Sequence, residues 1–392
     1  MATVSTFSKL GPGGGVSRVW LPAVPVAAEG ISAAELSTLQ AAVDAFMAEY
    51  LAHARPEYAR QSINAALYDD AMEFLCRPGK RLRPLLFLLA HRIFRRPDDR
   101  TSERDLLALG TSLELLHGFI LIHDDIIDRS ETRRGLPTLH RVLEARLPAF
   151  ADRDRAGKNL SLVIGDILFA LAQQCLLDAE SVDPAKRLQL SRMLLGCLVE
   201  TGFGEAADII YGTRDISKIS HGEIERMYLL KTTRYTIEGP LAMAATLAGA
   251  APAAIRQIAR VALPAGLAFQ IQNDLQEFAR FEISDTEVPA DILEGKKTLL
   301  IHTAFELLGE TDRSLLQLCF SGASPSEATV SKARELMAKS GAVTKLHERM
   351  VELLAEADTA AHSSAFSPDE QHGLVALIRM VREAANRSKS AA

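Results

Sequence analysis

The sequence predicts an all-α protein, on three observations. Long Leu-, Ala- and Met-rich segments dominate the 392 residues, and alternating strand patterns are scarce. Apolar residues recur at helical spacing: Leu374, Leu377, Ile378 and Val381 fall at i, i+3, i+4 and i+7, one face of a helix. Helix starts are also legible. Ser367-Pro368-Asp369-Glu370 combines an N-cap serine, a proline at the first helical position and a capping-box glutamate. Ser324-Pro325-Ser326-Glu327 opens another helix in the same way, and Gly341 can close it.

In chain order, residues 1–32 read as a flexible leader, because the Gly11–Gly15 run and several prolines disfavour packed structure. Residues 33–387 read as a single all-α domain with neither an internal repeat nor a mid-chain linker, and residues 388–392 as a tail. Loops are expected near Arg96–Ser102, Ala149–Lys158 and Phe281–Pro289. The leader lacks the basic start and continuous apolar stretch of a signal peptide. No continuous apolar run reaches the ~20 residues a spanning helix needs, so no transmembrane segment is expected. An apolar substrate would then be met in a protein pocket.

The hydrophobic fraction is 48% and the charged fraction 24%, which places the chain in the globular class. A formal net charge of −6 gives no reason to expect nucleic acid as a partner. Cys76, Cys175, Cys197 and Cys319 are scattered without a CxxC pair, so neither a disulfide framework nor a zinc site is suggested, and a reducing cytoplasm is expected.

The chemistry concentrates where an apolar helix, Leu113 to Ile122, ends in Asp124-Asp125-Ile126-Ile127-Asp128. Asp124 and Asp128 are i and i+4, so their carboxylates share one helix face and repel unless a cation bridges them. Magnesium suits such a pair, since it takes oxygen ligands and is often held by one or two carboxylates plus substrate phosphates. A bare DxxxD is more often a solvated helix end. Here Arg129, Arg133 and Arg134 follow within two turns, and guanidiniums beside metal-binding carboxylates are the two halves of a diphosphate site.

Other segments add weaker signals. Arg77, Lys80, Arg81 and Arg83 form a basic cluster upstream, fit for a second polyanion or for a solvated loop. Downstream, Asn273 and Glu277 repeat the i, i+4 spacing around Asp274, followed by Asp291 and Lys296-Lys297-Thr298. Between the acidic clusters stands Lys231-Thr232-Thr233.

This ordered combination resembles the trans-isoprenyl diphosphate synthases, the polyprenyl synthetase family, over roughly Pro78 to Thr298, and is most like its geranylgeranyl and farnesyl diphosphate synthases. The resemblance implies an isoprenoid synthase-type bundle of antiparallel helices around a central cavity, usually as a homodimer. It implies magnesium-dependent head-to-tail condensation of isopentenyl diphosphate with an allylic diphosphate, with three magnesium ions per active site. Asp124, Asp125 and Asp128 look like the first DDxxD motif, and Arg133 like the arginine on the allylic diphosphate. Lys80, Arg83, His117 and Arg134 match the residues that grip isopentenyl diphosphate. Lys231, Thr232, Gln270 and Lys296 match the remaining allylic-side residues, and Asn273, Asp274 and Glu277 the second metal motif. That motif is normally DDxxD, so Asn273 replaces a carboxylate ligand of the third ion with a neutral amide. In the family, bulk five and four residues before the first motif sets where the product tunnel ends. Phe119 and Ile120 occupy those positions, which resembles enzymes that stop at C20, geranylgeranyl diphosphate, less often at C15.

Two other readings compete. A class I terpene cyclase shares the first motif, and Asn273-Asp274-Leu275 begins like a cyclase NDxxSxxxE. Glu277 replaces the serine, and a complete isopentenyl site has no use in a cyclase. A non-catalytic partner subunit would be expected to lose the first motif, which is whole.

Overall fold

The computed structural model describes residues 31–58, 62–133, 135–147, 151–283, 295–320 and 326–386. The expected leader (save residues 31 and 32), the tail, Arg134, Asp291 and most of the third expected loop lie outside the described residues. The chain divides into two compact units, Met1–Arg192 with Met243–Ala250, and Met193–Ala242 with Ala251–Ala392.

The first unit is built from α1 (Ala33–Tyr58), α2 (Ser62–Cys76), α3 (Leu82–Phe94), α4 (Glu103–Ile127), α5 (Leu139–Ala145), α6 (Arg153–Leu177) and the start of α7 (Pro184–Gly212). Helix α4 is its centre and packs on α1, α3 and α6. Ser102 starts it by accepting from the Asp105 backbone N–H at 3.1 Å. Leu109, Leu115, Leu116 and Ile122 of α4 are almost fully buried, each worth about 1.5–3 kcal/mol relative to exposure. Two glycines allow close approach. A Cβ on Gly118 would lie 2.2 Å from Leu75, and one on Gly165 of α6 would lie 2.4 Å from the His123 ring.

The expected scarcity of strands holds. Among the described residues the only strands are β1 (Thr132–Arg133) and β2 (Leu136–Pro137), a two-stranded ribbon turning at Gly135, φ +75°. The expected loop at Ala149–Lys158 is shorter than the sequence suggested. Asp152 accepts from Arg155 N–H and starts α6 at Arg153, and the one-turn pair Lys158–Asp154, 2.8 Å, supports the first turns.

The second unit contains the rest of α7, a short 3₁₀ turn (Ile216–Lys218), α8 (His221–Tyr228), a π-helix (Leu229–Glu238), the start of α9 (Gly239–Leu247), α10 (Pro252–Ile283), α11 (Leu299–Leu307), α12 (Glu310–Cys319), α13 (Glu327–Lys339), α14 (Ala342–Ala361) and α15 (Pro368–Asn386). Helix α10 is its centre, packed on the π-helix, α14 and α15 around Leu267, Ile271, Leu299, Leu336 and Leu346. Its helix runs on through Ile283, so the expected loop from Phe281 begins later. Ser367 and Glu370 form the expected capping box of α15, with N–H donors at 2.7 and 3.4 Å. Ser326 caps α13, accepting from Thr329 N–H at 3.2 Å, and Ser324 and Pro325 lie outside the described residues. Gly341 leaves α13 in the left-handed region at φ +81°.

Among the described residues two helices, α4 and α6, are long and apolar enough to cross a membrane by length and composition. This corrects the reading from continuous apolar runs, which scattered polar residues interrupt. The apolar window of α4 is 72% buried inside the protein and that of α6 44%; a core helix passes the same test.

Candidate functional site

In the first unit, the C-terminal end of α4 gathers three aspartates and one arginine. An oxygen of Asp124 and an oxygen of Asp128 lie within 4.8 Å of each other, as the i, i+4 spacing requires. Asp128 caps the helix, and Arg129 reverses the chain in the left-handed region, φ +51°. The β1–β2 ribbon then carries Arg133 back over the helix end. Its Nε donates to Asp125 Oδ1 at 2.6 Å and its Nη2 to Asp124 Oδ2 at 3.3 Å. Asp125 is 1% exposed, and its Oδ2 has no hydrogen-bond partner among the described residues. Burial pushes its pKa up to about 6, against the pull of the Arg133 guanidinium. Hard carboxylate oxygens one turn apart, with an unsatisfied oxygen beside them, suit a magnesium ion.

The same unit holds a cleft of about 360 Å³, open mouth included, lined by Arg77, Arg81, Glu114, His117, Leu121 and Arg133 among others. It brings His117 beside the basic segment that the sequence singled out. Arg81 is structural. Held at φ +46°, it bonds Asp44 at 2.6 Å and the buried Glu114 at 2.9 Å, and donates to the Leu75 and Arg77 carbonyls. Arg83 is buried at the start of α3, whereas Lys80 is exposed. Phe119 and Ile120 are half-buried on α4. The Phe119 ring packs on Phe169 of α6 at 5.8 Å and on His123 at 4.6 Å between centroids.

In the second unit, Lys231 sits on the π-helix with Thr232. Its ammonium bonds Asp208 at 2.7 Å and Glu205 at 2.8 Å, both from α7. Neither acid stands out in the sequence, although their i, i+3 spacing on an apolar helix is a signal that could have found them. Gly204 makes the approach possible, since a Cβ there would lie 2.2 Å from the Lys231 backbone nitrogen. The π-helix, closed by Gly239 N–H on the Arg234 carbonyl, is not foreseen by the sequence pattern.

On α10, Asn273 and Glu277 are half-buried, but Asp274 turns inward and is buried. One oxygen accepts from the Tyr228 hydroxyl and the other from Gln270 Nε2 at 3.0 Å. Burial raises its pKa. Tyr228 in turn accepts from Leu299 N–H at 3.0 Å, so Asp274 anchors the start of α11. Lys296 is half-buried; its neighbour Lys297 is 2% exposed, donates to the Gly295 carbonyl at 2.6 Å and has its pKa lowered by burial.

A helical fold with an acidic, arginine-backed helix end defines a class: the protein is an all-α prenyltransferase, as comparison with known proteins shows. It is 30% identical to the geranylfarnesyl diphosphate synthase of Aeropyrum pernix over 69% of this chain and 79% of that one. It is 28% identical to the geranylgeranyl diphosphate synthase of Sulfolobus acidocaldarius over 70% and 77%. Its fold matches geranylgeranyl pyrophosphate synthase of Corynebacterium glutamicum, solved with isoprenyl diphosphate and magnesium, with a TM-score of 0.80 over 89% of this chain and 99% of that one at 24% identity. The polyprenyl synthetase family pattern matches residues 65–337, and the chain belongs to that family.

Proposed function

We propose that the protein joins isopentenyl diphosphate head-to-tail to an allylic diphosphate, with magnesium, and stops at the C20 product, geranylgeranyl diphosphate. The observation that carries this reading is the end of α4, where Asp124, Asp125 and Asp128 share one helix end with Arg133 folded back onto them. Magnesium on Asp124 and Asp128 would supply positive charge where the leaving diphosphate gains negative charge. Three ions per site follow from the family resemblance, with Asn273, Asp274 and Glu277 serving the third. Of these, the half-buried Asn273 and Glu277 are the better placed, because Asp274 already satisfies Tyr228 and Gln270.

The cations are held ready by carboxylates. Arg133 rests on Asp124 and Asp125, and Lys231 on Glu205 and Asp208. Each of these cations is therefore paired with carboxylates before a diphosphate arrives. Lys231, Thr232, Gln270 and Lys296 are assigned to the allylic diphosphate, and Lys80, Arg83, His117 and Arg134 to isopentenyl diphosphate. The cleft that His117 lines with Arg77 and Arg81 supports the assignment of His117. Phe119, with Ile120, is assigned to the end of the product tunnel, and the support of its ring by Phe169 of α6 makes it a firm stop.

Incubation with magnesium, isopentenyl diphosphate and each allylic diphosphate in turn, followed by chain-length analysis, tests the reading. A C20 main product is expected. A C15 product would move the chain to farnesyl diphosphate synthesis, a cyclised hydrocarbon would make it a cyclase, and no product without a second synthase would make it a partner subunit.

The protein is also assigned to a homodimer in the cytoplasm. Leu195, Val199, Phe203 and Ile210 are exposed along one face of α7, with Phe203 at 69%, and a second copy of the same face is the fitting cover. The four cysteines stand unpaired, as a reducing compartment allows. Light scattering should give twice the chain mass, and Phe203→Glu should halve it; a monomeric parent would remove the assignment.

A further inference from the structure

We propose that His221, His302 and Glu306 form a transition-metal site, chemically suited to zinc, that ties the start of α8 to α11. The three lie in the second unit and belong to none of the aspartate motifs. One nitrogen of each histidine and one oxygen of Glu306 lie within 4.8 Å of one another.

His302 carries the argument. It is 4% exposed, and its Nε2 lies 2.8 Å from the Ile219 carbonyl oxygen. A carbonyl only accepts, so Nε2 holds the hydrogen and Nδ1 keeps its lone pair. That Nδ1 has no hydrogen-bond partner among the described residues. The Glu306 carboxylate, one turn along α11, stands 3.8 Å from it, beyond hydrogen-bond reach. A buried acceptor facing a carboxylate across a gap is unfavourable for both unless a cation sits between them. An imidazole whose far N–H is tied to a backbone carbonyl is also the usual preparation of a metal-bound histidine.

The bland alternative is an aromatic contact, since the His221 and His302 rings meet edge to face with centroids 5.9 Å apart. Such a contact accounts for two rings but not for the unsatisfied Nδ1 or for Glu306. His221 has its own carboxylate, Glu225, 3.5 Å from Nε2 and one turn along α8, which can hold that ring in place.

Two imidazoles and one carboxylate exclude magnesium and calcium, which take oxygen sets, and match zinc with water in a fourth position. Zinc–ligand bonds of about 2.0–2.2 Å put ligand atoms roughly 3.4 Å apart in a tetrahedron. The set must therefore close by about an ångström. The side chains that must move are the ones with room: His221 is 36% and Glu306 48% exposed, while His302 stays fixed. The ion would brace α8, which leads into the π-helix of Lys231, against α11, which follows Lys296.

The test uses the full chain, stripped of metal and then held in millimolar magnesium so that the aspartates are occupied. Zinc chloride is added, the protein is desalted, and retained zinc and melting temperature are measured; cobalt(II) serves as the spectroscopic probe. One equivalent of zinc, a higher melting temperature and a tetrahedral cobalt(II) visible band are expected. His221→Ala and Glu306→Gln, one on a half-buried and one on an exposed side chain, should leave folding intact and each weaken zinc binding at least ~10-fold and abolish the visible band. No retained zinc, or zinc retained equally by both variants, overturns the proposal.

Discussion

The end of α4 and the later turns of α10 carry the same spacing in different surroundings. At α4, Asp124 and Asp128 lie at the helix end with an arginine brought back over them. At α10, the register is kept by Asn273 and Glu277, but the aspartate between them is buried and spent on Tyr228 and Gln270. Five residues before Asp124 stands Phe119; five before Asn273 stands the small, buried Ala268. An i, i+4 pair of potential ligands therefore does not define a metal site. The burial of the residue between them, and whether a cation is supplied nearby, decide what the pair does.

Four substitutions break or sharpen this contrast, from the largest effect to the smallest. Asp124→Ala removes half of the pair at α4 and should lower kcat by at least ~100-fold, the scale of losing a preplaced charge-stabilising group. Steady-state turnover at saturating magnesium measures it, and parental turnover would show that α4 is not the metal end. Phe119→Ala should lengthen the main product by at least one C5 unit, because an apolar chain gains ~0.8 kcal/mol for each CH₂ it buries in the vacated space. An active enzyme with unchanged product lengths would put the floor of the tunnel elsewhere.

The α10 pair should respond differently. Tyr228→Phe removes the hydroxyl that donates to one Asp274 oxygen and accepts from the Leu299 N–H, and should cost about 1–3 kcal/mol of stability while product length stays the same. Denaturant unfolding and product analysis separate the two; a change in product length with stability intact would make Tyr228 part of the site. Asn273→Asp restores a charge at the half-buried ligand position and should lower the magnesium concentration for half-maximal rate several-fold. Superimposable magnesium curves for variant and parent would mean that position 273 holds no metal.

Much of the candidate site at the end of α4 is legible in the sequence. Asp124, Asp128 and Arg133 lie close in the chain, so a helix and one turn are enough to bring them together, and both follow from local rules. The capping box of α15 and the turn at Gly341 are legible for the same reason. The partners of Lys231 are not. Glu205 and Asp208 precede it by some two dozen residues and meet it only because Gly204 lets a π-helix approach α7. No local signal marks a π-helix, whose wider turn depends on the packing around it.

The sequence by itself determined the helices, the charged and carboxylate side chains, and the family, because each of these is written in spacings shorter than a few helical turns or in an ordered set of such motifs. Tertiary structure decided which of those side chains remain available. Burial set Asp274 among the hydrogen bonds of Tyr228 and Gln270, made Arg81 a structural ion-pair partner of Glu114, and left His302 Nδ1 facing Glu306 without a proton between them. The cost of removing a polar group from water depends on what surrounds it in space, and that surrounding comes from segments that the sequence keeps apart.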